Sequence, residues 1–469
     1  MGKMHRALEI HEIAEMICEQ IGLPLGAPGR FALRDLVVLA RTATIFLNPA
    51  LNIIWRTQHT ILNVLRCMPE DLWDITESDD DFDGITSIRL LRVIGSNDWE
   101  RPFFYLHRVK FFSICSTFED ADFFEAISLC PPGVFIFPNL ERLFWFADPT
   151  DSFHHVRLFL APSITDITLG RIGTVSHVSV LSTLAAKCPS LVKVSIHIHA
   201  VQELALATVS TFVRRLAHIE LLTVPELDEM AFAHIAELPG LSSLRFNHPA
   251  ESVYRLPGGT AGFRALTELT TPTMECATGL IAMPLNRPLV KLIILRQPMP
   301  PTNLVARQFY SDVAKYCAHA SLRHIGVYGA YNNTDALTAD QIEKYSAGGD
   351  ILSPLFSFAN LVLVDLVHPA GFDLDNATVL AIARAWPRIE YLALEAGAFR
   401  HVRSRVTLEG LYAFAQHCPN LRNLEMTFDA TVFLKVKIIR RRSGAPKTPL
   451  PVLRSLSPRS KTPSAPLNS

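Results

Sequence analysis

This 469-residue chain has no Cys-x-x-Cys pair, no long uncharged apolar run and almost no net charge. Its eight cysteines are scattered singly, which points to structural thiols in a reducing compartment. Cys188 and Cys418 each stand before a proline, where a small buried residue would close a helix. No apolar run reaches the length of a membrane span, and the opening MGKMHRALEIHE lacks the apolar core of a signal peptide. Gly2 is followed by Arg6, where a myristoylation pattern wants Ser or Thr. Lys plus Arg number 44 against 45 Asp plus Glu, so no basic field argues for nucleic acid. A protein of the cytoplasm, the nucleus or both is expected, with neither membrane nor nucleic acid as partner.

Signals for chemistry are equally scarce. There is no G-x-S-x-G, no Walker loop and no dinucleotide fingerprint. HEIAE (11–15) approaches the zinc-protease H-E-x-x-H, but Glu15 occupies the second ligand position. HIH (197–199) puts two imidazoles on one strand face, a pattern met more often as surface polarity than as a metal site. LPGGTAG (256–262) lacks the Lys and helix start that phosphate binding needs and reads as a turn. The expectation is a non-enzyme without catalytic residues, metal or cofactor.

What is present is repetition. HCPNLRNLEM (417–426) returns as AWPRIEYLAL (385–394), ELPGLSSLRF (237–246), KCPSLVKVSI (187–196), LAPSITDITL (160–169) and IFPNLERLFW (136–145). Chance placement of 31 prolines in a 49% hydrophobic chain would give about two such phrases, and there are six. Aligned on the first apolar position after the Pro, anchors fall at Leu140, Ile164, Leu191, Ile219, Leu241, Leu266, Leu289, Leu322, Leu361, Ile389 and Leu421. Amphipathic runs such as SVLSTLAAKC, ATVLAIARAW and TLEGLYAFAQHC lie between them. A short strand would point its L-x-x-L-x-L side chains inward, a helix would return behind it, and proline would stop the helix. Units of this kind bury a continuous core only when stacked. The pattern predicts an α/β fold over 106–433, about 11 to 12 degenerate repeats with parallel strands on a concave face and helices on the convex one. It resembles the longer, helix-backed leucine-rich repeat solenoids.

The flanks differ. Residues 4–56 read as short helices, with Ile10, Ile13 and Ile17, then Leu36 and Leu39, at helical spacing. Residues 57–105 form a connecting segment in which EDLWDITESDDDFD (70–83) is expected as an acidic solvated loop. Residues 435–469 carry nine Lys or Arg and no acidic side chain among dense Pro and Ser, so 434–469 is expected to be a disordered tail. Removing those nine charges leaves −10 on the rest. RRRS (440–443) and the Thr-Pro and Ser-Pro pairs at 448, 457 and 462 look like kinase substrates, and the triplet like a weak nuclear-import patch.

The N-terminal residues resemble an F-box. Glu12, Ile13 and Ile17, then Asp35, Leu36, Leu39 and Phe46, then Pro49, Leu51 and Trp55 match its three parts. His11 stands where Pro is usual, Thr42 and Ala43 where Cys is common, and the linker GLPLGAPGRFA is longer than usual. Joined to C-P-x-L repeats, the chain is similar to the large F-box families of mushroom-forming fungi. That resemblance implies an SCF-type (Skp–cullin–F-box) ubiquitin ligase subunit. The F-box would bind a Skp adaptor, and through it a cullin–RING ligase, by Ile10, Ile13, Ile17, Leu36, Leu39, Pro49, Leu51 and Trp55. The repeats would recruit a protein target whose identity the sequence does not contain. The alternatives are a helical cap on the first repeat, and a repeat scaffold with no ubiquitin link.

Alternation along each strand sends the second, fourth and sixth residues after an anchor outward. Target contacts are therefore expected at Lys193, His197, Arg245, Tyr328, Asp365, Tyr391 and Glu395, with Ser195, Asn247, His324 and Glu425 on the same face.

Overall fold

Each of the six proline phrases leads into one strand, and four of them also close an α-helix. In the computed structural model, which describes residues 10–22, 30–77, 85–114, 121–130, 133, 135–146, 153–198, 203–248, 262–283, 288–295, 301–329, 338–396, 404–429 and 452–454, all eleven anchors from Leu140 to Leu421 are buried. Cys188, Trp386 and Cys418, each followed by proline, end their helices with nearly the same backbone, φ −118 to −122° and ψ 64 to 74°. Proline disfavours the helical region for the residue before it, so the chain leaves the helix at that point. The two cysteines are buried, and burial pushes the Cys188 thiol up to about 12 and the Cys418 thiol to about 11.

Two units divide the chain, Met1–His234 and Ile235–Ser469. The first opens with three helices, α1 (His11–Gly22), α2 (Arg30–Ala40) and α3 (Thr44–Arg56), packed on one another around Ala14, Cys18, Leu36, Phe46 and Ala50. Its sheet follows directly. Strand β1 (Thr57–Gln58) pairs with β4 (Phe111–Ile114), and parallel partners continue through β5 (Arg142–Trp145), β6 (Asp166–Ile172), β7 (Lys193–Ile198) and β8 (Leu221–Val224). The sheet thus begins inside the segment predicted as a connection.

The acidic run differs from its prediction as well. Its first half is a 3-10 turn, Glu70–Leu72, and strand β2 (Trp73–Glu77), which pairs antiparallel with β3 (Ile85–Leu90); residues 78–84 lie outside the described residues. Leu72 and Trp73 are buried, and their apolar surface outweighs the local charge. Arg92 clamps the base of this hairpin, donating to Asp71 Oδ2 at 2.8 Å and to Asp98 Oδ2 at 2.8 Å. The Arg92 guanidinium, with the Gly95 N–H, holds the Asp98 carboxyl down at about 2.

The second unit carries β9 (Ser243–Phe246), β10 (Glu268–Thr271), β11 (Lys291–Ile294), β12 (His324–Val327), a two-residue pair β13 (Ala347–Gly348) and β15 (Phe372–Asp373), β14 (Leu363–His368), β16 (Tyr391–Ala396) and β17 (Asn423–Met426). All but the β13–β15 pair form one parallel sheet in chain order. One ladder of register partners runs Leu244, Leu269, Leu292, Ile325, Val364, Leu392 and Leu424, every one buried. Just before each strand one backbone carbonyl accepts from the next turn: Val290 N–H to Thr267, Arg323 to Val290, Val362 to Arg323, Glu390 to Val362 and Arg422 to Glu390, at 2.8–2.9 Å. The turns between helix and strand are thereby satisfied by their neighbours. Helices such as Asn303–Tyr316, Asn376–Ala385 and Leu408–His417 back this sheet, giving the layered α/β architecture of leucine-rich repeats. Of the C-terminal tail only β18 (Val452–Arg454) is described; it extends the sheet as a parallel partner of β17, where no regular structure is expected. An unpaired strand edge is a ready template for such an addition.

Candidate functional site

Two surfaces carry the residues singled out above. On the N-terminal helices, Leu36 is completely buried, and Ile17 and Leu39 pack against the same core. Pro49 is buried inside α3, and Trp55 is buried and stacked on Tyr105 with ring centroids 4.5 Å apart. Ile13 and Leu51 are half-buried, and Ile10 is exposed. Leu36, Pro49 and Trp55 therefore hold the helices together and offer no contact surface; the spacing shared with the motif is the spacing of its interior.

Apart from Ile10, the exposed apolar side chains are others. Six of the sixteen large apolar side chains exposed among the described residues fall between Ile10 and Leu47: Ile10, Met16, Leu33, Val37, Val38 and Leu47. Leu33 and Val37 stand one helical turn apart on α2. Such a concentration of apolar groups in solvent marks an interaction surface more often than chance exposure. Helical spacing picks out the buried stripe, so it passed over the residues beside it.

On the sheet the alternation holds. Along β7 every second residue is buried, leaving Lys193 exposed and Ser195 and His197 half-buried on the open face. Lys193 Nζ pairs with Asp166 Oδ1 of the neighbouring strand at 3.3 Å, and His197 lies against Phe146 with ring centroids 5.6 Å apart. His199, the other imidazole of the pair, lies outside the described residues. Among the described residues no group of three or more His, Cys, Asp or Glu could hold a metal, and no helix is long and apolar enough to cross a membrane.

In the second unit the open face changes character along the sheet. Arg245 is exposed on β9, and Lys291 Nζ of β11 lies 3.6 Å from Glu268 Oε2 of β10. From β14 to β17 the charges on this face are of one sign. Tyr328, just after β12, hydrogen-bonds to Asp365 on β14, and Tyr391 on β16 to Glu425 on β17. Tyr328 reaches Asp365 by lying over Gly326, where a Cβ would meet the ring at 3.1 Å. Burial and the carboxylates Asp365, Glu425 and Glu395 push the Tyr391 hydroxyl up to about 12. Burial raises Asp365 too, partly offset by the Tyr328 hydrogen bond, with Glu425 adding to the rise. Every charged group acting on Tyr391 is a carboxylate, so the cluster favours a cation.

A recess of about 480 Å³ in the first unit is lined by Phe153, His154, Arg157, His177 and Lys187, residues without a motif in the sequence. Phe153 and His177 are stacked there with centroids 4.7 Å apart.

No family model matches the chain, and no curated protein does. Among solved structures the chain is similar to that in "Crystal structure of TLR13-ssRNA13 complex", at 11% identity and a TM-score of 0.30, covering 70% of this chain and 54% of the other. The chain thus spans about half the length of that structure, and a likeness so distant carries no argument.

Proposed function

We infer that the chain is a non-catalytic recognition subunit. The open face of the repeat sheet captures a protein, and the three N-terminal helices dock the assembly on a Skp-type adaptor of a cullin–RING ubiquitin ligase. The reading rests above all on the six large apolar side chains that α1–α3 and the residue before α1 leave in solvent. Interface cores are built from such groups. The motif residues Glu12, Ile13, Asp35, Leu36, Pro49 and Trp55 supply the resemblance, and the mixed aromatic and charged sheet face suits a protein target. In this reading ubiquitin transfer belongs to the partners, and the chain needs no cofactor.

Val37→Asp with Val38→Asp tests it, because both side chains are exposed and the core stays intact. The wild-type chain should co-purify with a Skp adaptor and the double variant should not, with unchanged helicity. If the wild type never binds, or the variant binds equally, the adaptor assignment is wrong and a repeat scaffold without a ubiquitin link is left. On the sheet, Tyr328→Ala with Tyr391→Ala should weaken capture of the target without touching adaptor binding.

A further inference from the structure

The recess in the first unit is built by the backing segments of two successive repeats. One wall is the 3-10 helix Phe153–Leu158, between β5 and β6. The other is formed by two short helices between β6 and β7, Val175–Val178 and Leu181–Lys187. A 3-10 helix has three residues per turn, so His154 and Arg157 stand one above the other on their wall. Val180, Thr183 and Lys187 follow at intervals of three and four and make one stripe of the second wall. His154, Arg157, Thr183 and Lys187 are exposed, whereas Phe153 is buried and its ring steadies His177 by stacking on it. No carboxylate lines the recess among the described residues, and none of them pairs with Arg157 or Lys187. Burial holds His155 down at about 4, and His154 and Arg157 push it the same way. His177 is lowered by burial and then by His154. Every charged group acting on these two imidazoles is therefore basic, the opposite of the tyrosine face in the second unit.

We propose that this recess binds a small aromatic phosphate, its ring against His177 and Val180 and its phosphate on Arg157 and Lys187. Size, charge and shape each support this ligand. The volume of about 480 Å³ falls in the range of about 300–1,000 Å³ that small-ligand sites occupy. A phosphate monoester carries a charge of about −1.5 to −2 at neutral pH, which matches the two fixed cations Arg157 and Lys187. The Arg157 guanidinium can grip two phosphate oxygens at once, and Lys187 adds a mobile point charge. Flat rings and an apolar side chain, His154, His177 and Val180, line the same space and suit an aromatic body. Inorganic phosphate would gain only the charged contacts and phenol only the apolar ones. The site belongs to the repeats of the first unit, and its ligand can be measured whether or not an adaptor binds the N-terminal helices.

Isothermal titration of the full-length protein with phenyl phosphate, inorganic phosphate and phenol tests the site. Phenyl phosphate should bind at least about tenfold more tightly than either part, since a charge-assisted hydrogen bond is worth roughly that factor in affinity. Arg157→Gln with Lys187→Gln, both exposed, should weaken its binding about tenfold or more with unchanged helicity. Thr183→Trp should fill the recess and abolish binding. In the wild-type chain carrying isotope-labelled histidine, phenyl phosphate should move the imidazole signals of His154 and His177, assigned with His154→Gln and His177→Gln. Because that arm reads the wild-type chain, it stands even if the Gln or Trp variants at the cations and Thr183 fold poorly. Equal affinity for phenyl phosphate and inorganic phosphate would reduce the site to a plain basic patch and overturn the proposal. So would undiminished binding by a folded Arg157→Gln, Lys187→Gln variant, or His154 and His177 signals that do not move.

Discussion

The N-terminal helices and the repeat sheet treat their regularly spaced apolar residues alike and their intervening residues differently. In both, the periodic positions are interior: Leu36 in α2 is as completely buried as Leu392 in β16. In the helices the residues beside the periodic ones are still apolar, as with Leu33, Val37 and Val38, whereas on the sheet they are Tyr391, Asp365, Glu395 and Glu425. A period of two leaves no doubt which neighbour faces out. A period of 3.6 has a broad rim, and a surface made of rim residues hides inside the pattern.

The comparison breaks most severely at Leu36. Leu36→Asp would bury a carboxylate without a partner and should cost more than about 4 kcal/mol, unfolding the three helices. Val37→Asp, one residue away, should stay within about 0.5 kcal/mol of wild type by urea denaturation. Equal effects would mean that α2 faces the other way. A next, smaller effect is acid sensitivity within the sheet layer. His368 on β14 is buried, and burial pushes it down to about 4, only partly offset by a backbone hydrogen bond with Tyr345. An unfolded histidine titrates near ~6.5, so between these values the unfolded chain takes up the proton first. Stability should therefore fall as the pH drops through that window, by roughly 2 kcal/mol between pH 7 and pH 5. His368→Leu should flatten the profile, and an unchanged acid slope would assign the loss to other groups such as His155, which burial also holds near 4. The smallest effect sharpens the sheet side. Gly326→Ala should shift the Tyr328 ring by a few tenths of an ångström at a cost below about 1 kcal/mol. Its loosened bond to Asp365 should bring the Tyr328 hydroxyl down towards its ordinary value in an absorbance titration. No change would show that the ring does not lie over Gly326.

Much of the sheet is legible in the sequence, since in six repeats a proline and an apolar residue two positions later set the strand's start. The side-chain direction at Lys193, Arg245, Asp365 and Tyr391 followed from alternation alone. The acidic run was misread because counting charges in 70–83 overlooked Leu72 and Trp73, whose burial organises a hairpin. Three of the eight residues that the resemblance names for adaptor contact, Leu36, Pro49 and Trp55, lie in the interior, because spacing reports what is periodic. Composition predicts no regular structure at 452–454, where β18 pairs with the edge of β17.

Local sequence by itself determined the repeat, the strand register and the identity of the buried ladder, because those depend on periodicity and on proline's backbone restrictions within a few residues. Only the tertiary structure decided which side chains meet across strands 30 or more residues apart. Tyr328 reaches Asp365 and Tyr391 reaches Glu425 because parallel stacking brings equivalent positions of successive repeats within one strand spacing. Each repeat contributes one or two charges that look unremarkable alone, and stacking sums them into a face of one sign.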